Sequence, residues 1–439
     1  MNRNATAPSV GPLFFPQSRS LGIDLGAYSP AVLKKVVYAG TQHPSFAQGH
    51  QALAALAGLK VAEKQVERLT ERIGQERVDQ QDQAVQDFLA LPLMEKVRSP
   101  VANPPDLVVV EMDGGRLQIL DRRGSGTTAD GAEDEDQEAS ERQGHWREDK
   151  IGLLMTMTSK ESAEDPCPEI PESFIDPTRI LKLAREIKHG VVAGAEAVAP
   201  PPETESEGDE QPDAEWIPKP RVRTVIAGRR SWDRFRDVLA QAAWARGFAA
   251  ARRKAFVADG AAVNWTSHKK WFSDYVGILD FIHALSYVFA AAMAGRPFRD
   301  GWNVYVGWIS QVWSGQVAVV IAALEARGAE LGAPEKDDPE TSPRRVVAEA
   351  LSYLSNHQGR MHYDQYRRTG LPITSSHMES TVKLFNRRVK GTEKFWSEAG
   401  AEAILKLRAD YLSETDPMEA YWKNRQEAAT GRRQYRRSG

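Results

Sequence analysis

Glu379 is the residue whose surroundings most clearly suggest chemistry, and it lies in the stretch 371–391. Pro372 and the Thr-Ser-Ser run that follows predict the end of one helix and the cap of the next. Glu379 then falls in the first turns of the new helix, where the helix dipole tolerates an anion, and Lys383 shares its face four residues later. A carboxylate on a basic helix suits a metal-dependent enzyme acting on a phosphate backbone. An exposed Glu–Lys pair explains the same residues equally well.

Two aspartates directly follow short apolar runs that predict strands. The run 107–112 leads to Asp113 and two glycines, and the run 255–258 leads to Asp259 and Gly-Ala-Ala. Taken alone, Asp113 is most simply interpreted as part of an Asp-Gly hairpin turn. The glycine after Asp259 allows backbone to approach the side chain closely.

Asp280 and His283 follow a further predicted strand at 276–279. On a helix, their spacing of three residues places both side chains on one face. A histidine that is satisfied within the core is the safer interpretation of His283, and a role beside an active site is the alternative.

The C-terminal part of the chain resembles the signature of bacterial DDE transposases of the ISKra insertion-sequence type. The residues that carry the resemblance are Pro-Ile-Thr-Ser-Ser-His-Met-Glu-Ser-Thr-Val-Lys at 372–383, Asn-Arg-Arg-Val-Lys-Gly at 386–391 and Phe-Trp-Ser at 395–397. The run Trp-Arg-Glu-Asp-Lys at 146–150 is also similar to the family pattern. The resemblance implies an RNase H-like catalytic core, with Asp113, Asp259 and Glu379 as its metal-binding carboxylates and Asp280 and His283 beside the active site.

The implied metal centre requires a fold that joins distant parts of the chain. The three carboxylates are separated by 146 and 120 positions. Such oxygen ligands suit Mg²⁺ or Mn²⁺. Two ions about 4 Å apart would activate a water or a DNA 3′-OH and stabilise the leaving oxygen.

The expected fold class is α/β, an RNase H-like mixed-sheet core with a large all-helical insertion and an N-terminal helical, helix-turn-helix-like domain. The sheet is predicted to begin with a three-stranded meander at 107–112, 116–120 and 153–158 and to continue with the strands before Asp259 and Asp280. A long helix is predicted at 232–254. The expected segments are an N-terminal DNA-binding domain (1–100), the first part of the core (101–280), the helical insertion (281–370), the C-terminal helix region of the core (371–415) and a basic tail (416–439).

The N-terminal segment has the pattern of a helix-turn-helix. Ahead of a further helix near 78–89, three helices are predicted at 30–39, 46–56 and 62–76, with Ser29 and Ser45 as caps of the first two and Gly58 in a tight turn. Lys64, Gln65 and Arg68 on the last of these helices are the expected DNA contacts. A plain three-helix packing module remains the alternative.

The net charge of −3 conceals an uneven distribution. The stretches 130–141 and 201–215 each hold seven acids and no base, and without these fourteen acids the charge becomes +11. We expect 123–143 and 196–215 to be disordered acidic linkers. The remainder is basic, as expected of a DNA-binding protein.

Two further sets of residues have alternative interpretations. The basic residues that continue the Glu379 helix are expected along DNA phosphates, and a solvated basic face is the alternative; they are Lys383, Arg387, Arg388 and Lys390. Trp302, Trp308 and Trp313 recur near helical spacing. They predict an aromatic core stripe, with base stacking on a distorted DNA end as the alternative.

The sequence therefore predicts a DDE transposase that cleaves the ends of a mobile element and joins them to target DNA. The expected partners are double-stranded DNA, as terminal repeats and target, and further copies of the chain in a synaptic complex. A DNA-binding regulator with a silent core and a metal-dependent nuclease without strand transfer stay open. A single cysteine, no secretory leader and no membrane span predict a cytoplasmic, nucleoid-associated protein.

Overall fold

The computed structural model describes residues 28–119, 145–187, 216–391 and 394–429. The acidic stretches expected at 123–143 and 196–215 lie outside the described residues, as do the last ten positions of the expected basic tail. No helix within the described ranges is both long and apolar enough to cross a bilayer.

In the described part of the chain, helices lie at both ends and the strands lie between residues 107 and 279. In chain order, the helices are α1 (Pro30–Gln42), α2 (Phe46–Ala57), α3 (Glu63–Ala90), α4 (Leu93–Lys96), α5 (Pro177–Ile187), α6 (Trp232–Ala245), α7 (Ala262–Trp271), α8 (Phe281–Met293), α9 (Phe298–Trp313), α10 (Val317–Leu331), α11 (Pro343–His357), α12 (Tyr363–Arg368), α13 (Ser376–Val389), α14 (Glu398–Leu412) and α15 (Pro417–Ala429). The strands are β1 (Leu107–Ile119), β2 (His145–Thr158), β3 (Lys219–Gly228), β4 (Arg253–Ala258) and β5 (Val276–Leu279). The protein is therefore a mixed α/β protein, as predicted.

The five strands form one mixed sheet with the order β3-β2-β1-β4-β5. β1, β4 and β5 run parallel to one another, whereas β2 and β3 are antiparallel. β1 begins with fully buried apolar residues such as Val108 and Val109, and β4 ends with a buried apolar run that includes Phe256. Strands that are covered on both faces carry such continuous apolar runs.

The structure corrects three predictions about the sheet. β1 continues without a break through Asp113-Gly114-Gly115, so the predicted hairpin is wrong. Neither glycine has the positive φ that a tight two-residue turn needs. β2 begins at His145, eight residues earlier than predicted. β3 was not predicted at all, because Pro220 and alternating Lys and Arg residues hide the strand pattern, which is typical of an edge strand.

The helix predicted at 232–254 also ends early. α6 stops at Ala245, and Gly247 follows with a φ of 76°. This left-handed conformation suits glycine and ends the helix. The chain then forms β4 from residues that had been assigned to the helix.

By its contacts the chain divides into two compact units. The first unit comprises the chain up to Gln81 together with Leu117–Arg147 and Leu384–Gly439. The second unit comprises Asp82–Arg116 and Glu148–Lys383. These limits differ from the expected segments, because the last helices of the chain share a core with the first ones.

The core of the first unit joins both ends of the chain. Leu33 and Val36 of α1 and Ile73 of α3 belong to one buried cluster with Leu407 of α14 and Trp422 of α15. Residues 417–429 form a helix, of which Met418, Tyr421 and Trp422 belong to this cluster. The predicted caps are confirmed at α1 and α2, where Ser29 and Ser45 accept hydrogen bonds from backbone N–H groups. α3 is a single helix of 28 residues where two helices were predicted.

The second unit holds the sheet's parallel strands and the helical segment from α8 to α12. The tryptophan stripe of this segment belongs mainly to the core: Trp313 and Tyr305 are fully buried, and Trp302 and Trp308 are half-buried. Arg367 of α12 lies over the Trp313 ring, with its Cζ 3.9 Å from the ring centroid. The core interpretation of Trp313 therefore holds.

Candidate carboxylate site at the ends of three parallel strands

The register of the parallel strands places three aspartates in one row. β1 and β4 pair with an offset of 146 residues, as in Leu107 with Arg253 and Glu111 with Val257. Continued by two places beyond the last paired residues, the same offset would set Asp113 level with Asp259, and the charge of Asp259 does act on the pKa of Asp113. β4 and β5 pair with an offset of 21, from Ala255 with Val276 to Ala258 with Leu279, and the next place sets Asp259 level with Asp280. The carboxyl ends of parallel strands, about 4.8 Å apart, are where α/β proteins bind ligands.

The side chain of Asp113 is half-buried and surrounded by negative charge. Burial raises its pKa, and the charges of Asp259 and Asp149 raise it further. The Gly114 N–H donates to Asp113 Oδ1 at 2.7 Å and acts in the opposite direction, as does the charge of His283. A carboxylate whose pKa is raised by the charge of a neighbouring carboxylate suits a site that receives a cation.

Asp259 is held in place by the start of α7. Its Oδ1 accepts hydrogen bonds from the Ala261 N–H at 2.9 Å and from Asn264 Nδ2 at 2.7 Å. Asn264 is itself buried, with 3% of its surface exposed. These two donors fix one oxygen of the carboxylate, so the orientation of Asp259 follows from the helix that comes next in sequence.

Asp280 connects β5, α8 and the segment before α13. It is 1% exposed and caps α8 by accepting from the Ile282 N–H at 3.3 Å. The same oxygen, Oδ1, accepts from the Ser375 N–H at 3.2 Å. The Phe281 N–H donates to the Ile373 carbonyl at 2.9 Å. Asp280 is therefore placed to hold the segment from which the helix of Glu379 begins.

His283 lies one turn into α8 and pairs with Asp280, its Nδ1 being 2.6 Å from Asp280 Oδ2. Burial lowers the pKa of His283, but the hydrogen bond to Asp280 and the charges of Asp280, Asp259 and Asp113 outweigh this effect and raise the pKa to about 9. His283 is thus a cation at neutral pH among the aspartates. The interpretation of His283 as a structurally satisfied histidine is supported by this pair, and its role beside an active site stays a prediction.

Glu379 occupies the first turn of α13, as predicted, and is half-buried. Its charge acts on Glu111, a fully buried residue of β1. Burial raises the pKa of Glu111 well above its usual value, and the charges of Asp280 and Glu379 add to this. Glu111 lies two residues before Asp113 on the same strand, which places both on the same face of the sheet.

Two acidic residues of the site were missed by the reasoning from sequence, Glu111 and Asp149. Asp149 of β2 is fully buried. A Cβ on Gly115 of β1 would lie 2.7 Å from Asp149 Oδ1, so the glycine makes room for this carboxylate. The sequence contains Asp149 on one strand and Gly114-Gly115 on the neighbouring strand. Their proximity could be inferred only once β1 was known to continue past Asp113.

The donor set fits a hard divalent cation. Asp113 and Asp259 offer carboxylate oxygens at the ends of neighbouring strands, and the positive charge of His283 lowers the pKa of Asp113. Within the described ranges, no three side chains of Asp, Glu, His or Cys converge closely enough to hold one metal ion. The charge of Asp259 acts on the Asp113 carboxyl, and the convergence of Asp113, Asp259 and Glu379 on a metal ion stays a prediction.

The basic residues of α13 have different environments. Lys383 and Arg387 are exposed, and Lys390, just after the helix, is partly exposed. Arg388 is only 2% exposed, and its guanidinium donates to the Gly40 carbonyl at 2.9 Å. Its Cζ lies 4.6 Å from the centroid of the Phe46 ring and 4.9 Å from the centroid of the Trp396 ring. The expectation that Arg388 contacts phosphate is thus corrected, because its guanidinium is enclosed within the first unit.

The predicted DNA contacts of the N-terminal segment lie on α3. Lys64 and Arg68 are exposed, and Gln65 is partly buried. Lys64 pairs with Glu67 at 2.6 Å. Their role in DNA binding stays a prediction.

No protein-family model matches the chain, and no curated protein matches it.

Proposed function

We propose that this chain is a DDE transposase with an RNase H-like core, which cleaves the ends of a mobile DNA element and joins them to target DNA. The observation that carries the proposal is the level row at the ends of the parallel strands, where Asp113 of β1 stands beside Asp259 after β4. The offset of 146 residues that separates these aspartates in sequence is also the offset of the strand pairing.

The sheet supports the same proposal. Three strands, β1, β2 and β3, precede β4 and β5, which run parallel to β1, and this agrees in outline with the expected meander followed by two further strands, although β3 was not among the predicted strands. The long helical segment between β5 and α13 corresponds to the implied insertion, and Glu379 follows it in the first turn of α13.

In this proposal, the residues of the site bind and orient the reacting groups. Asp113, Asp259 and Glu379 would hold two Mg²⁺ or Mn²⁺ ions, which, when bound, supply the charge stabilisation for in-line displacement at phosphorus. Asn264 orients Asp259, and Asp280 holds the segment before the Glu379 helix. In the reaction, an oxygen of water or of a DNA 3′-OH forms the new bond to phosphorus, and the bond to the leaving 3′ oxygen breaks.

The partners follow from this chemistry. Double-stranded DNA is the substrate, both as the terminal repeats of the element and as the target. Joining two ends to one target requires that two active sites act together, and this favours a homo-oligomer. Lys383, Arg387 and Lys390 supply exposed positive charge for DNA phosphates.

The test uses purified full-length protein, end-labelled duplexes carrying the DNA that flanks its coding region, a supercoiled target plasmid and Mg²⁺. We expect nicked ends and joined products from the parent protein, and none from Asp113→Asn, Asp259→Asn or Glu379→Gln. Asp274→Asn is the matched control, because Asp274 is 61% exposed and pairs with Lys254. This variant should react like the parent.

Three results would overturn the proposal. Cleavage without joining would assign a nuclease, and DNA binding without cleavage would assign a regulator with a silent core. Undiminished reaction by Asp113→Asn and Asp259→Asn would remove the proposed site.

A further inference from the structure

The backbone next to Asp259 packs against two aromatic rings of a distant helix. A Cβ on Gly260 would lie 2.2 Å from Cε2 of Tyr353 and 3.0 Å from Nε2 of His357. Both residues belong to α11, about a hundred positions further along the chain. The turn after β4 therefore rests directly on the helical segment, and only glycine leaves room for this approach.

The two rings are themselves fixed by neighbours from other elements. The Tyr353 ring stacks on Tyr287 of α8, with centroids 3.7 Å apart and planes 10° apart. The His357 ring lies 5.8 Å from the Trp265 ring of α7. Arg360 covers that tryptophan with its Cζ 4.1 Å from the centroid and lies 3.2 Å from His357 Nδ1. Side chains from α7, α8 and α11 thus hold the surface on which Gly260 rests.

This aromatic surface is close to the carboxylate of Asp259 as well as to its backbone. Burial raises the pKa of the Tyr353 hydroxyl, and the charge of Asp259 adds to this. The pKa of the Tyr287 hydroxyl is raised as well. Burial contributes most, followed by the charge of Glu349 and then by the charge of Asp259. A movement of the rings would therefore move the turn that carries one of the proposed metal ligands.

We propose that Tyr353 and His357 are positioning residues, which hold the Asp259–Gly260 turn so that the Asp259 carboxylate is correctly placed for a divalent cation. This inference rests on the proposed function, since it assumes that Asp259 is a metal ligand. It assigns the helical segment the role of positioning Asp259, in addition to the metal ligands that the sheet and α13 are proposed to supply. The flat ring of Tyr353, which a Cβ on Gly260 would meet, carries this role.

The experiment measures Mn²⁺ binding to metal-free full-length protein by calorimetry and, in parallel, the thermal midpoint of unfolding. Residues that orient metal ligands from outside the ligand set typically change affinity by about 10- to 100-fold. We expect Tyr353→Leu to weaken Mn²⁺ binding by about tenfold and His357→Leu by a smaller factor. Tyr353→Phe should restore binding to within about twofold of the parent.

Two controls separate the inference from its premise. Trp302→Ala removes a ring that packs on Phe298, Phe289 and Tyr305 within the same helical segment. It should lower the thermal midpoint and leave Mn²⁺ affinity unchanged. Asp259→Asn should abolish the binding, and undiminished binding by this variant would overturn the proposed function together with the inference.

The inference fails alone under either of two results. In the first, Asp259→Asn loses Mn²⁺ binding, whereas Tyr353→Leu and His357→Leu fold and bind Mn²⁺ like the parent. In the second, Tyr353→Leu does not fold although Trp302→Ala does, which would make the ring a core element and not a positioning residue.

Discussion

Replacing Asp280 by Asn should remove a pH-dependent contribution to stability that comes from its pair with His283. Asn keeps the size of the side chain and one oxygen acceptor, and it is as good a helix cap as Asp. The bonds from Ile282 and Ser375 to Oδ1 can therefore persist. What the variant loses is the negative charge 2.6 Å from His283 Nδ1.

The size of the effect follows from the pKa of His283. This pKa is raised from 6.5 to about 9 in the folded protein. Each tenfold change in proton affinity corresponds to about 1.4 kcal/mol, so the bound proton contributes up to about 3 kcal/mol to the free energy of unfolding. The charges of Asp259 and Asp113 also contribute, so Asp280→Asn should remove only part of this amount.

The raised pKa of His283 determines how the stability contributed by this pair changes with pH. A group whose pKa is raised on folding stabilises the protein fully below its unfolded pKa, and this stabilisation is lost as the pH rises through the folded pKa. The contribution of His283 should therefore be complete below 6.5 and disappear above about 9. Asp280→Asn should be markedly less stable than the parent at about pH 6, and the difference should shrink towards pH 9.5.

The assay is urea unfolding of the parent and variants across this pH range, in EDTA so that no divalent cation competes for the aspartates. Asp280→Ala should cost a further 1 kcal/mol or so at every pH, because it also removes the helix cap. Asp274→Asn, which breaks an exposed pair, should change stability by no more than about 1 kcal/mol. A constant difference between the parent and Asp280→Asn from pH 6 to 9.5 would refute the reasoning, because the pair would then carry no extra proton affinity.

Three further predictions concern other side chains of known environment. Arg387→Ala and Lys390→Ala should each lower the slope of log affinity for DNA against log salt by about 1, and an unchanged slope in both would place the DNA elsewhere. Arg388→Ala should leave that slope unchanged and lower the free energy of unfolding by about 3 kcal/mol, because a buried guanidinium loses its hydrogen bonds and ring contacts. In urea unfolding, Gly115→Ala should lower the free energy of unfolding by about 1–3 kcal/mol, because the added Cβ would lie 2.7 Å from Asp149 Oδ1. Stability equal to that of the parent would show that Asp149 moves freely.

Local signals in the sequence were sufficient for several elements. Ser29 and Ser45 cap helices as predicted, since the cap depends on a side chain and an N–H group three residues away. The positions of β5 and of Glu379 in the first turn of α13 were also predicted, because apolar runs and capping residues act over a few residues. The candidate carboxylates came from the same local patterns and the resemblance they support.

The tertiary structure decided what those residues do together. In sequence, Asp113-Gly114-Gly115 predicts a hairpin turn, but β1 continues through these residues and Asp149 of β2 packs against Gly115. Arg388 and Arg387 are adjacent bases on one helix, and only the fold shows that the first is enclosed by Phe46 and Trp396.

The level row of aspartates likewise appears only in the sheet, because strand register depends on contacts between residues 146 positions apart. Local propensity carries no information about such pairings, since they form only when buried faces from distant segments meet. The sequence determined which side chains are present at the ends of strands and helices. The packing of the sheet determined which of them became neighbours.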